Sequence, residues 1–112
     1  MTSQGPGRAN LYGVPVTILE RAELPVIAHL TDEFGADFAS VRHLPAQIPG
    51  FRSLTLHRGI ESPELYLLLI EWESVEAHEV GFRTSPQYAE WSETLHRYYD
   101  PFPVVEHFAR VD

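Results

Sequence analysis

Residues 65–72 read Leu65-Tyr66-Leu67-Leu68-Leu69-Ile70-Glu71-Trp72. Side chains alternate across a strand, so Leu65, Leu67 and Leu69 take one face and Tyr66, Leu68, Ile70 and Trp72 the other. Both faces are apolar. A strand of a small antiparallel sheet normally wets one face. A chain of 112 residues has few helices to spare for covering both. The second face is therefore expected to meet another copy of the chain. A pocket is expected between the first face and its helices.

This length is one domain with room for a real core. Hydrophobic residues make up 44% and charged residues 21%, a globular rather than a disordered balance. The net charge of −8, with no lysine among the cations, argues against a nucleic-acid partner, which needs clustered Lys and Arg. An anionic membrane surface would repel such a chain too. The absence of cysteine removes thiolate nucleophiles, disulfides and zinc–thiolate sites. It fits a cytoplasmic location. No apolar run approaches the roughly 20 residues of a membrane span. Met1 to Asn10 lacks a signal-peptide core. Residues 1–13 read as a mobile Gly/Pro/Ser tail and 14–112 as one domain.

Val14 to Glu23 reads as the first strand, with Pro15 suited to its start. A rival register places the strand at Val26–Leu30; the earlier one has the longer apolar run. Thr31 is the expected N-cap of a helix, with Asp32 and Glu33 complementing its dipole. Phe34, Phe38, Val41, Leu44 and Ile48 then form one helical stripe, which Pro45 should kink. Ile48-Pro49-Gly50 is a turn, followed by alternating strands over Phe51–Arg58 and Leu65–Trp72. Ser74 can cap a short helix over Val75 to about Phe82. Ser85-Pro86 opens another, with Tyr88, Trp91, Leu95 and Tyr98 on its buried side. Val104 to Val111 is the last strand. The order βαββαβ, with a split second helix, is the ferredoxin-like α+β arrangement: a four-stranded antiparallel sheet ordered 4-1-3-2.

Three stretches resemble the antibiotic biosynthesis monooxygenase (ABM) domain family. They are Pro49-Gly50-Phe51; Leu67 to Ser74 running into Glu76-Ala77-His78; and Gly81-Phe82-Arg83 followed by Ser85-Pro86. With Val105-Glu106-His107-Phe108, the resemblance spans roughly residues 14–111. It implies a dimeric α+β barrel made of two ferredoxin-like subunits. It also implies, for some members, a monooxygenase that uses no metal or flavin. Such members oxidise electron-rich, polyketide-like aromatics that react with oxygen once deprotonated. Haem-cleaving relatives carry an iron-binding histidine ten residues after a tryptophan. Aligned on Trp72 and Ser74, this chain has Gly81 and Trp91 at those positions, and His96 is five residues further on.

A cofactor-free oxygenase needs a base, an apolar cavity and donors for a substrate anion. Histidine suits the proton step, since its ordinary pKa is about 6.5. His78 and His107 fall within the family-like segments and are the candidate bases. Their plain alternative is a helix-surface pair for His78 and a hydrogen-bonded core or interface histidine for His107. His29 and His43 read as solvent-facing. Trp72, Phe82, Tyr88, Trp91 and Phe38 are candidate pocket walls, or simply core. Tyr66 is a candidate hydroxyl donor, or an interface residue. Arg83 is a candidate for holding a carboxylate or an oxyanion, or the partner of a nearby glutamate. Glu71 shares the face of Leu65, Leu67 and Leu69 and would need a partner if buried. No spacing suggests a metal site, a phosphate loop or a nucleophile elbow. Two readings follow: a cofactor-independent monooxygenase with a small aromatic substrate, or a non-catalytic module that dimerises or binds a small apolar ligand.

Overall fold

The computed structural model describes residues 17–112; the expected tail over 1–13, and residues 14–16 of the expected first strand, lie outside this range. The elements are β1 (Ile18–Pro25), α1 (Thr31–Val41), β2 (Phe51–Arg58) and β3 (Leu65–Trp72), then a π-helical turn (Ala77–Phe82), α2 (Pro86–Leu95) and β4 (Val105–Ala109). All strand pairs are antiparallel, and the sheet order is β2-β3-β1-β4, as expected for the ferredoxin-like arrangement. The limits of β2 and β3 coincide with the alternation in the sequence. β1 follows the earlier of the two registers. Val26 makes only an isolated bridge with Tyr99, and Ala28–Leu30 is a 3-10 turn.

That turn displaces the expected cap. The Leu30 N–H donates to the Ile27 carbonyl, so the chain is already winding when it reaches Thr31. Thr31 is then the first helical residue, and no side chain caps the end. The stripe itself behaves as its spacing requires. Phe34, Phe38 and Val41 are buried, and after α1 ends Leu44 and Ile48 continue the buried line around a 3-10 turn begun by Pro45. Each such side chain contributes roughly 1.5–3 kcal/mol through burial.

The two faces of β3 take roles opposite to those expected. The helices cover Tyr66, Leu68, Ile70 and Trp72, all buried. Leu65, Leu67 and Leu69 are half-buried on the far side. Neighbouring strands explain the choice. The covered face continues into Ile18, Ala22 and Leu24 of β1 and Leu54 of β2. The far face is paired with Arg21 and Glu23 on β1 and with Ser53, Thr55 and His57 on β2. The bulk that meets Phe34, Phe38 and Trp91 from the helices is thus the aromatic face. Glu71, on the far face, is exposed and accepts the Ser53 hydroxyl at 2.7 Å. Among the described residues, no helix is long and apolar enough to cross a membrane.

Candidate functional site

One carboxylate interrupts the covered face. Glu20 follows Ile18 and precedes Ala22 and Leu24 in the inward alternation of β1, and it is 4% exposed. Antiparallel register sets Glu20 opposite Ile70 on β3 and His107 on β4, with Ile18 opposite Trp72. The Trp72 indole Nε1–H donates to Glu20 Oε1 at 2.8 Å. Burial pushes the Glu20 carboxyl up from 4.5 to about 7, against the lowering effects of the Trp72 hydrogen bond and the nearby Arg83 charge.

His78 reaches the same oxygen from the helical side. The Ser74 hydroxyl accepts the Ala77 N–H at 3.1 Å and starts the turn. The Arg83 N–H donates to the His78 carbonyl five residues back, at 3.0 Å, which is the π-helical spacing. His78 and Phe82 both point inward and are buried. The His78 ring stacks on Trp72, with centroids 5.6 Å apart and planes at 20°. His78 Nε2 lies 3.4 Å from Glu20 Oε1, and His78 Nδ1 lies 2.8 Å from His107 Nε2. Burial pushes the His78 pKa from 6.5 to about 3, helped by Arg83 and His107, so the ring is neutral at ordinary pH. Glu20, His78 and His107 thus form one polar cluster across three elements, with a hydrogen bond between the two rings and a 3.4 Å contact from His78 to the carboxylate.

Glu20 and His78 stand on the wall of a cavity of about 360 Å³. This lies within the roughly 300–1,000 Å³ of small-molecule sites. Ala22, Leu24, Leu68 and Val105 line it from the sheet, Phe82, Tyr88 and Trp91 from the helical side, and Tyr99, Phe102 and Pro103 from the segment before β4. Its other polar groups are Glu79, Arg83 and His96. The His96 ring packs edge-on to Phe102 with centroids 4.8 Å apart, and burial lowers its pKa. Burial likewise raises the Tyr99 hydroxyl above its usual value. α2 is held in place by the Ser85 hydroxyl, which accepts the Tyr88 N–H at 3.1 Å, with Pro86 just inside.

The residues singled out in the sequence divide into three groups. Phe82, Trp91, Arg83 and His78 line the chamber; Arg83 also lies 3.9 Å from Glu79, one helical turn away. Trp72 and His107 stand behind it: Trp72 is fully buried and reaches the chamber through Glu20, His78 and Phe82, against which it packs. Phe38 and Tyr66 lie elsewhere in the core. Phe38 packs behind Trp91 at 5.6 Å. Tyr66 sits at the opposite end of β3, edge-on to Phe34 at 4.9 Å, with the Arg58 guanidinium 5.4 Å above its ring. That position is on the helix-covered face, not on the open one. His29 and His43 are exposed. Tyr88, an expected pocket wall, lines the chamber too, whereas Glu20, His96 and Tyr99 are chamber residues that sequence reasoning did not single out as site residues. For Glu20 a signal exists, since it is the one carboxylate in the alternation Ile18-Glu20-Ala22-Leu24.

The family model described as antibiotic biosynthesis monooxygenase matches residues 17–94. YczJ, an uncharacterized protein of Bacillus subtilis strain 168, is 40% identical over 94 residues, which covers 84% of this chain and 99% of that protein. Among solved structures, a candidate antibiotic biosynthesis monooxygenase of Bordetella bronchiseptica superposes with a TM-score of 0.81 at 33% identity, covering 87% of this chain and 99% of its own. A monooxygenase from the gene ActVA-Orf6 of Streptomyces coelicolor, in complex with the ligand nanaomycin D, superposes with a TM-score of 0.73 at 22% identity, covering 88% and 90%. At that identity the likeness is one of fold.

Proposed function

Because this chain belongs to the antibiotic biosynthesis monooxygenase family, we propose that its chamber receives an electron-rich, polyketide-like aromatic molecule and delivers it to dioxygen without a bound cofactor. The observation that carries the reading is a partly open, aromatic-walled cavity with a buried, hydrogen-bonded histidine on its wall. Fold alone would not separate an oxygenase from other uses of the same scaffold. A neighbour of the same fold is in complex with a small-molecule ligand, which supports a small-molecule-binding role.

The reaction asks little of the protein beyond a proton step and a dry cavity. A methylene between two aromatic rings, or a phenol conjugated with one, loses a proton. The resulting carbanion adds dioxygen at carbon, and the returned proton gives a hydroperoxide. The hydroperoxide loses water to leave a carbonyl. One oxygen atom stays in the product and the other departs as water, so the substrate carbon is oxidised and dioxygen reduced with no further reagent. The proton is taken and returned by the buried cluster of Glu20, His78 and His107 at the chamber wall. The Arg83 guanidinium, at the chamber and partly exposed, supports the negative charge on the ring oxygen. Phe82 and Trp91 hold the ring system by area and stacking.

The same reading pairs two copies through the open face of the sheet, where Leu65, Leu67 and Leu69 are half-buried and Phe108 is 46% exposed. It also places the protein in the cytoplasm, in keeping with a chain that has no cysteine. The test is oxygen consumption by the purified protein with a panel of hydroxylated anthrones and naphthols. Uptake of one dioxygen per carbonyl formed, reduced by Phe82→Ala and Arg83→Ala, is the expected result. Saturable binding of these compounds with no uptake for any of them would overturn the oxygenase in favour of a ligand-binding module.

A further inference from the structure

The histidines are the obvious bases, yet Glu20 meets the chamber directly while His107 does not line it. Buried carboxylates are costly unless something in the fold requires them. Here the surroundings are built around one oxygen. Trp72 Nε1 from the neighbouring strand and His78 Nε2 from the π-helical turn both approach Oε1, at 2.8 and 3.4 Å. Neither contact involves Oε2. His107, at the Glu20 register position on β4, holds the far nitrogen of His78 at 2.8 Å and so fixes the ring that faces Glu20. The arrangement has the form of a base with its orienting partners behind it.

We infer that Glu20 is the group that takes the substrate's proton, and that His78 and His107 are positioning residues that aim its carboxylate at the chamber. This deepens the oxygenase reading and rests on it only for the identity of the substrate. In the step, the substrate C–H bond breaks, its electron pair stays on the ring system, and the proton binds a Glu20 oxygen. No electrons leave the substrate at this stage. Neutral His78 accepts a hydrogen bond at Nε2 from the protonated carboxyl when its own Nδ1–H donates to His107. When Glu20 is ionised, the other tautomer donates Nε2–H to it. The pair can thus follow either charge state of Glu20 without taking up a charge itself. An acid near neutrality serves both removal and return of a proton, and burial holds Glu20 there. The other charged or titratable groups lining the chamber are Glu79 from the π-helical turn, Arg83 just after it, Tyr88 from α2 and, in the segment that follows, His96 and Tyr99.

The test is anaerobic exchange of the methylene hydrogens of anthrone with deuterated water, followed by NMR. It reads proton abstraction without any oxygen chemistry. The wild-type protein accelerates exchange, with a rate that rises with pH through a midpoint near the Glu20 value of about 7. Glu20→Gln slows it roughly a hundredfold or more, while anthrone still quenches the tryptophan fluorescence. Glu20→Asp, which keeps the carboxylate but withdraws it, recovers part of the rate. His78→Asn and His107→Asn keep a carboxylate-dependent rate with a displaced midpoint. Unchanged exchange in Glu20→Gln, no acceleration by the wild type, or loss of exchange in a histidine variant with Glu20→Gln unaffected would each overturn the inference. Glu20-dependent exchange without oxygen uptake would leave the inference standing and remove the oxygenase. Oxygen uptake indifferent to Glu20→Gln would do the reverse.

Discussion

A base kept in a buried site should weaken the fold that holds it, and for Glu20 the size of that effect can be worked out. The carboxyl titrates at about 7 in the folded chain against 4.5 when free. Each unit of difference is about 1.4 kcal/mol, so the ionised group costs the folded state on the order of 3 kcal/mol. The sign follows from which state ionises first. Below about pH 4.5 the carboxyl is neutral in both states and costs nothing. As pH rises from there the unfolded chain ionises first, and stability falls until the folded group has ionised, near pH 7. His78 acts in the opposite direction. Its folded value of about 3 lies below 6.5, so its contribution is complete above pH 6.5 and is lost as pH falls toward 3, on the order of 5 kcal/mol. Between about pH 4.5 and 6.5 the two slopes oppose each other, and these groups leave wild-type stability nearly flat. Glu20→Gln removes one of them. Its amide oxygen can still accept the Trp72 indole hydrogen, and the neutral His78 ring can turn its Nε2–H tautomer toward the same oxygen. The variant should match the wild type near pH 4 and exceed it by about 3 kcal/mol near pH 8. For a domain of this size that is a melting-temperature rise on the order of 10 °C. Circular-dichroism melts of both proteins at several pH values between these limits measure it. A difference independent of pH, or a less stable variant near pH 8, would refute the burial argument.

Three further substitutions probe the surroundings. Trp72→Phe removes the indole donor that lowers the Glu20 pKa. The exchange midpoint should move to higher pH, and a loss of about 1–3 kcal/mol should appear in denaturant titrations because a buried oxygen loses its partner. Gly50 has φ +93°, and a Cβ there would come within 2.8 Å of the Ala77 Cβ at the start of the π-helical turn. Gly50→Ala should therefore destabilise by about 1–3 kcal/mol and disturb the His78 environment, seen as a shifted His78 ring resonance by NMR. Leu67→Arg places a charge on the open face of the sheet, between Glu23 and His57. Under the proposed pairing of two copies through this face, it should lower the mass seen in light scattering from two copies to one while leaving the secondary structure intact.

The parts of the molecule that could be read from residues alone are those governed by a local period. β2 and β3 show their limits through alternation, and the Phe34–Phe38–Val41 stripe shows through helical spacing. Ser85-Pro86 marks the start of α2 because its cap is made within the same four residues. Non-local choices were less visible. Nothing inside β3 says which of its two apolar faces the helices take; the polar partners on β1 and β2 decide it, and they are known only once the strands are paired. Thr31 fails as a cap because a 3-10 turn upstream has already begun the winding. The site is the extreme case. His78 and His107 were legible as candidates, Glu20 was not singled out although it interrupts an apolar alternation, and the meeting of the three is a consequence of register. Glu20 opposes His107 across one ladder, and Ile18 opposes Trp72 across the other. A slip of β1 by one residue would turn Glu20 to the open face and put Leu19 or Arg21 under His78. The apolar residues at Ile18, Ala22 and Leu24 forbid that slip, because it would expose all three at once. The same side chains that form the core of β1 therefore hold its one buried charge in place. That coupling is why the carboxylate's cost can be borne by the fold.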